Sequence, residues 1–372
     1  MARIPSRIES ATKVLTPQVD AARASPYRLP GKSARIGDLG TAGTPEPPSG
    51  ALVVVGCESG IGRGDAGITL AIETDELTRY YGDRCAVDQV TLRVPTGCVY
   101  GLLGPNGSGK TTTIKILLGL LRPTRGSARM LGHDSRHLPP RLRDRVGYVA
   151  EGHELYRSAR IRDLADFQAA FFSRWNRRSF GDMLGHFRLS PKQRIRQLSN
   201  GQRAQVSLAL TLACDPDLLV MDDPTLGVDP VIRRRFLESM IQLINQKGRT
   251  VLFSSHVLSD VERVADRIGI LTRGVLRVDC TLAEFKQKLR RIRVVFDGQV
   301  PSLLDVPGLV WLQVSRQEAV LTIAHYDGTH EACLRERGAQ RIEPLASTLE
   351  DLFIDFNSGE PTQFIARKGG GL

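Results

Sequence analysis

Gly104-Pro105-Asn106-Gly107-Ser108-Gly109-Lys110-Thr111 is the stretch on which the reading of this 372-residue chain turns. Before it, Cys98-Val99-Tyr100-Gly101-Leu102-Leu103 is short and continuously apolar, which reads as a buried strand. After it, Thr112 to Leu121 reads as a helix with Ile114, Leu117, Leu118 and Leu121 on one face. A strand, a G-x-x-x-x-G-K-T loop and a helix together make a phosphate cradle. The glycines let backbone N–H groups curl round anionic oxygens, and the helix aims its positive N-terminus at the same anion. Lys110 then reaches the β- and γ-phosphates of a nucleoside triphosphate, and Thr111 offers its hydroxyl to Mg²⁺.

Further along the chain the pattern repeats. Asp217-Leu-Leu-Val-Met221 is a second buried strand and ends in Asp222 and Asp223. Thr250-Val-Leu-Phe253 is a third, followed by Ser254-Ser255-His256. Helical stretches run from Asp163 to Phe187, with Phe167, Phe171, Phe172 and Trp175, then from Ala204 to Ala213 and from Val231 to Gln246. Strands alternating with helices predict a parallel α/β sheet. Towards the N-terminus, Ile68 to Ile72, Leu77 to Tyr81 and Ala86 to Val94 read as short strands, with Gly82-Asp83 as a turn. Past Lys286 the texture changes. Strands are expected over 292–296, 310–314 and 319–323 and a helix over 348–356, a smaller α+β domain.

A carboxylate leaving a strand beside such a loop can hold Mg²⁺ through water, which gives Asp222 a role. A second carboxylate at Asp223 can orient or deprotonate an attacking water. Leu198-Ser199-Asn200-Gly201-Gln202 precedes a helix, with Ser199 as N-cap, and such a start can bind an anion. Taken alone, a purely structural cap explains it better.

Together these segments resemble the nucleotide-binding domain of an ABC transporter ATPase. Gly104 to Thr111 matches the Walker A motif and Leu218 to Asp222 Walker B. Leu198 to Gln202 matches the L-S-G-G-Q signature, with Asn200 for the first glycine. Leu226-Gly227-Val228-Asp229 matches the D-loop, His256 the switch histidine, and Tyr81 the aromatic that stacks on adenine. The resemblance implies a P-loop NTPase (RecA-like) core with an antiparallel β subdomain and a helical subdomain. The expected organisation is an extension over 1–68, the ATPase domain over 69–285 with its helical part at about 152–200, and a small C-terminal domain over 286–372. ATP and Mg²⁺ are the implied cofactors. Gly104, Pro105, Asn106, Gly107, Ser108, Gly109, Lys110, Thr111, Thr112 and Tyr81 would hold the nucleotide. Ser199, Gly201 and Gln202 would cap the γ-phosphate held by a second copy, so that a head-to-tail homodimer closes on ATP. The segment from Glu151 to Phe187 would face a separate membrane permease, on the cytoplasmic face of the membrane. The C-terminal stretch ending in Leu349-Glu350-Asp351-Leu352-Phe353 resembles the tail of ABC-2 exporter ATPases.

Two positions depart from the family pattern. Glu151 stands where the Q-loop glutamine is usual, and it could serve as a metal ligand or only contact the partner. Asp223 stands where the catalytic glutamate is usual. Its carboxylate is about one bond length short, and a misplacement of about 1 Å can cost on the order of 100-fold in rate. Either the loop compensates or hydrolysis is slow. A regulatory switch with little turnover is therefore an alternative. A ribosome- or DNA-directed relative is another, against which stand the single Walker A motif and the lack of a heptad run between Thr111 and Leu198.

The bulk numbers agree with a globular chain, 41% hydrophobic and 24% charged. The net charge of +11 comes with only 6% aromatics and no zinc-finger or RNA-recognition pattern, so no nucleic-acid partner is expected. The six cysteines form no C-x-x-C pair, which argues against a zinc site or a disulfide framework. No apolar run approaches the roughly 20 residues of a membrane span. Residues 1–68 read as disordered, either a true tail or the product of an upstream start codon. Within them, Val54-Val55-Gly56-Cys57, Gly31-Lys32-Ser33 and the glycines at 60, 62 and 64 imitate functional motifs but lack the context each requires.

Overall fold

The computed structural model describes residues 69–245, 248–301 and 306–358, so the expectations for the first 68 residues lie outside it. Order begins with strands β1 (Leu70–Tyr81), β2 (Arg84–Val90) and β3 (Arg93–Pro95), then β4 (Val99–Leu103) and helix α1 (Lys110–Leu117). Next come β5 (Arg125–Met130), β6 (His133–Asp134), α2 (Pro140–Arg143) and β7 (Val146–Val149). Helices α3 (Ile161–Phe171), α4 (Arg177–His186) and α5 (Asn200–Ala213) follow. The chain then alternates through β8 (Leu218–Met221), α6 (Pro230–Asn245), β9 (Thr250–Ser255), α7 (Leu258–Val264) and β10 (Arg267–Thr272). It continues with β11 (Val275–Thr281), α8 (Leu282–Lys288) and β12 (Leu289–Phe296). The last elements are β13 (Leu309–Ser315), β14 (Glu318–Ala324), α9 (Gly328–Glu336), β15 (Ala339–Leu345) and α10 (Leu349–Ser358).

The central sheet has six strands in the order β11-β10-β4-β9-β8-β7. All neighbours in it are parallel except the β10–β11 hairpin at the edge. Every residue of β4, β8 and β9 is buried, as expected of strands covered on both faces. The phosphate loop, Asp222 and His256 follow β4, β8 and β9, so all three leave the carboxyl ends of adjacent strands, where ligands of open α/β sheets bind. A second, antiparallel sheet joins β2-β1-β5-β6 with β3 on β1. This is the mixed α/β core with an antiparallel subdomain that the resemblance implies.

Several local expectations differ from the structure. The strands expected at 68–72 and 77–81 are one twelve-residue strand, β1, whose register shifts between Asp75 and Thr78. The strand expected over 86–94 is split into β2 and β3. Helix α1 closes at Leu117, so Leu118 and Leu121 pack on the core from the turn beyond it. The helix expected over 163–187 is broken at Phe172 to Asn176, because the Asn176 side chain accepts the Ser179 N–H (2.9 Å) and starts α4. Of its aromatics, Phe167 and Phe171 are exposed, whereas Trp175 packs on Phe180 with ring centroids 5.4 Å apart.

The C-terminal sheet has the order β13-β14-β12-β15, and β15 and α9 were not anticipated. The position 285/286 falls inside α8. Leu349, Leu352 and Phe356 of α10 and Val310 of β13 belong to the same apolar cluster as Leu258 and Val261 of α7. Arg291 lies 3.3 Å from buried Asp355 and 3.2 Å from Asp351, and this ties β12 to α10.

Candidate functional site

The loop after β4 is shaped by close backbone approaches. A Cβ on Gly109, at φ +106°, would lie 2.4 Å from the Ala86 carbonyl oxygen, and one on Gly104 would lie 2.2 Å from that of Leu271. Only glycine fits either place. Helix α1 starts at Lys110 with no side-chain cap and no acid in its first turn, which leaves its N-terminal donors to an outside acceptor. The Lys110 ammonium donates to the carbonyls of Gly104 (2.7 Å) and Pro105 (3.1 Å). Burial lowers its pKa, against the pull of Asp223, Asp222 and Glu151. The Ser108 hydroxyl is buried without a partner.

A cavity of about 460 Å³ lies over this loop. Asn106 to Thr112 line it with Tyr81, Arg84, Ala86, Glu151, Asp222 and Asp223. Gly104 and Pro105 lie beneath, as acceptors for Lys110. Tyr81 is exposed, with the Arg79 guanidinium 4.8 Å from its ring centroid. Glu151 opens a short 3-10 turn after β7 and is exposed. Next to it His153 is buried, with Nε2 2.8 Å from the Pro224 carbonyl oxygen, and burial lowers its pKa.

The two aspartates are wired together. The Thr111 hydroxyl donates to Asp222 Oδ1 (3.1 Å), and so does the Ser254 hydroxyl (2.8 Å). Ser254 Oγ in turn accepts the Asp223 N–H (2.9 Å). His256 Nδ1 lies 2.5 Å from Asp223 Oδ2, and since a carboxylate only accepts, the ring nitrogen is the donor. Asp223 sits at φ +40°, a left-handed backbone that aspartate adopts more readily than most side chains. Asp222 Oδ2 and Asp223 Oδ1 are both buried with no partner. Two orphaned carboxylate oxygens and the Thr111 hydroxyl bonded to Asp222 form the oxygen-rich donor set that suits Mg²⁺ with its waters.

The signature residues lie elsewhere. Ser199 caps α5 in a reciprocal box, accepting the Gln202 N–H (3.2 Å) while Gln202 Oε1 accepts the Ser199 N–H (3.0 Å). Gly201 is buried, and a Cβ there would come within 2.8 Å of Ile232 Cγ2. None of Ser199, Gly201 and Gln202 lines the cavity. In the D-loop, Asp229 caps α6 by accepting the N–H groups of Val231 (3.1 Å) and Ile232 (3.0 Å). Three residues were missed from sequence: Arg84 and Ala86, which line the cavity, and Ser254, which hydrogen-bonds to both aspartates. The only trace of Ser254 was a serine closing a buried strand. Arg84 showed no signal, because the β1–β2 hairpin alone brings its guanidinium to Gly107.

Comparisons with known proteins agree with this architecture. A family model described as ABC transporter matches residues 87–226. The probable multidrug ABC transporter ATP-binding protein YbhF of Escherichia coli (strain K12) is 36% identical over 256 residues, which are 67% of this chain and 42% of that protein. This chain thus spans less than half of that relative. The bacitracin transport ATP-binding protein BcrA of Enterococcus faecalis is 31% identical over 297 residues, 77% of this chain and 96% of the relative. Among solved structures, an ATP binding subunit of an ABC transporter superimposes with a TM-score of 0.54 at 28% identity, over 59% of this chain and 92% of that one. A relative matched at such identity over nearly its whole length decides the question, and the chain belongs to the family of ABC transporter ATP-binding proteins.

Proposed function

We propose that this chain binds and hydrolyses ATP as one of two identical subunits that drive a separate membrane permease, and that the permease exports its cargo. The observation that carries the reading is the single cavity in which the Lys110 loop meets two linked aspartates with orphaned oxygens. The N–H groups of the loop and Lys110 hold the phosphates, Thr112 adds a polar wall, and Tyr81 stacks on adenine. Thr111, Asp222 and Glu151 would hold Mg²⁺, which when bound would neutralise charge on the phosphates. A water held by Asp223 Oδ1 attacks the γ-phosphorus. The bond to the β–γ bridging oxygen breaks, and the water's proton passes to the Asp223 carboxylate or on to phosphate. His256 fixes that carboxylate through Oδ2. Ser199, Gly201 and Gln202 of a second copy complete the γ-phosphate shell, which accounts for their distance from this chain's own cavity.

Export is supported by the names of the relatives, one a probable multidrug and the other a bacitracin transport protein. No helix among the described residues is long and apolar enough to cross a membrane. The chain would then sit at the cytoplasmic face of the membrane through its permease, with 151–187 as the contact.

The test is steady-state phosphate release. Asp223→Asn is expected to lower kcat by about 100-fold or more with ATP affinity nearly unchanged. Unchanged turnover in that variant would remove Asp223 from the reaction. The shorter reach of aspartate makes turnover slow, so Asp223→Glu is expected to raise kcat where the left-handed backbone tolerates it.

A further inference from the structure

We infer that Ser254 is a positioning residue of the ATPase site, one that fixes both aspartates at once and sets which oxygen of Asp222 faces the metal. The inference rests on the hydrolytic reading above. Ser254 is fully buried at the end of β9. Strands β8 and β9 pair with Met221 opposite Phe253, so the next step of the register brings Asp222 beside Ser254. One hydroxyl then serves two residues in a row. It donates to Asp222 Oδ1 (2.8 Å) and accepts the N–H of Asp223 (2.9 Å).

Three consequences follow from hydrogen-bond counting. Asp222 Oδ1 receives Thr111 and Ser254 together, so the carboxylate cannot rotate without leaving a buried hydroxyl unpaired. Oδ2 is left as the free, buried oxygen and is the one that remains for Mg²⁺ or its water. The Asp223 N–H is held to the neighbouring strand, which pins a residue whose backbone is left-handed. Ser255, the next residue, has no share in this. Its hydroxyl bonds within its own turn, to Val257.

Alanine at 254 removes the hydroxyl but keeps the rest of a small buried side chain. Losing a hydrogen bond to a charged group costs about 10- to 100-fold in the step it supports. Ser254→Ala is therefore expected to lower kcat by about that factor with KM for ATP within about threefold. The second readout is binding of a fluorescent ATP analogue to the full chain, with Mg²⁺ and with EDTA. The affinity gained from Mg²⁺ should shrink in Ser254→Ala, while affinity in EDTA stays at the wild-type value. Ser254→Thr, which restores a hydroxyl, should recover most of both losses. Wild-type kcat and a wild-type Mg²⁺ gain in Ser254→Ala would overturn the inference, and so would an equal loss of binding in EDTA. If the wild-type chain releases no phosphate, the hydrolytic reading fails by itself, and the binding comparison still decides the role of Ser254.

Discussion

The cavity over the Lys110 loop and the loop at Ser199 are two regions of one chain built on opposite plans. Around the cavity Lys110, Asp222 and Asp223 are buried and hydrogen-bonded by the fold itself. Lys110 rests on two carbonyls, and Asp222, Ser254 and Asp223 form a continuous hydrogen-bonded series. At the signature, Ser199 and Asn200 are exposed, and the serine hydroxyl is spent on its own helix. The difference teaches that the first region is organised by contacts between distant segments and the second by its own helix alone. Preorganised groups pay little to act.

The sharpest way to break this comparison is Lys110→Ala. It should weaken ATP binding by about 1000-fold, because a buried cation facing phosphate is lost, and equilibrium binding of a fluorescent ATP analogue measures it. Ser199→Ala comes next. ATP binding to the single chain should be unchanged, whereas turnover should fall about 30- to 100-fold and lose its dependence on protein concentration. If Ser199→Ala weakened binding to the monomer as much as turnover, the two regions would be one site after all. The same variant should also cost about 1 kcal/mol of stability as a lost N-cap.

A smaller effect concerns the buried His153, bonded to the Pro224 carbonyl. Burial lowers the pKa of His153, so the folded chain refuses a proton that the unfolded chain accepts below its ordinary value of 6.5. Stability should therefore fall as the pH drops below 6.5, by at most about 1.4 kcal/mol per pH unit, and hold above it. Melting temperatures from pH 7.5 to 5 check this, with a flatter profile expected for His153→Gln. The smallest expected change is Glu151→Gln. It should raise the Mg²⁺ concentration needed for half-maximal turnover by about two- to fivefold and leave binding in EDTA alone.

Much of this was legible in the sequence, for a physical reason. The phosphate loop states its demands within eight consecutive residues, and the strand before it and the helix after it are neighbours in the chain. Asp222 and Asp223 likewise end an apolar run that announces itself. The hydrogen-bonding partner of both, Ser254, could not be read the same way, since its place depends on the register of two strands whose sequence positions lie far apart. Arg84 needed the curl of a hairpin. The break between α3 and α4 was hidden because Asn176 is an ordinary polar residue until its side chain is seen to cap. Helix α9 escaped because its short run of polar residues, Gly328 to Glu336, carries only a weak periodic signal.

The apolar cluster that α10 shares with α7 bears on how the chain can be handled as a material. A fragment cut after Phe285 would bare Leu258 and Val261 to water together with whatever Leu349, Leu352 and Phe356 now cover. Such a fragment should aggregate on expression, and the two regions should melt as a single cooperative transition. By sharing that cluster, α10 would act less like an accessory that can be trimmed than like the keystone of an arch, which the neighbouring stones lean on.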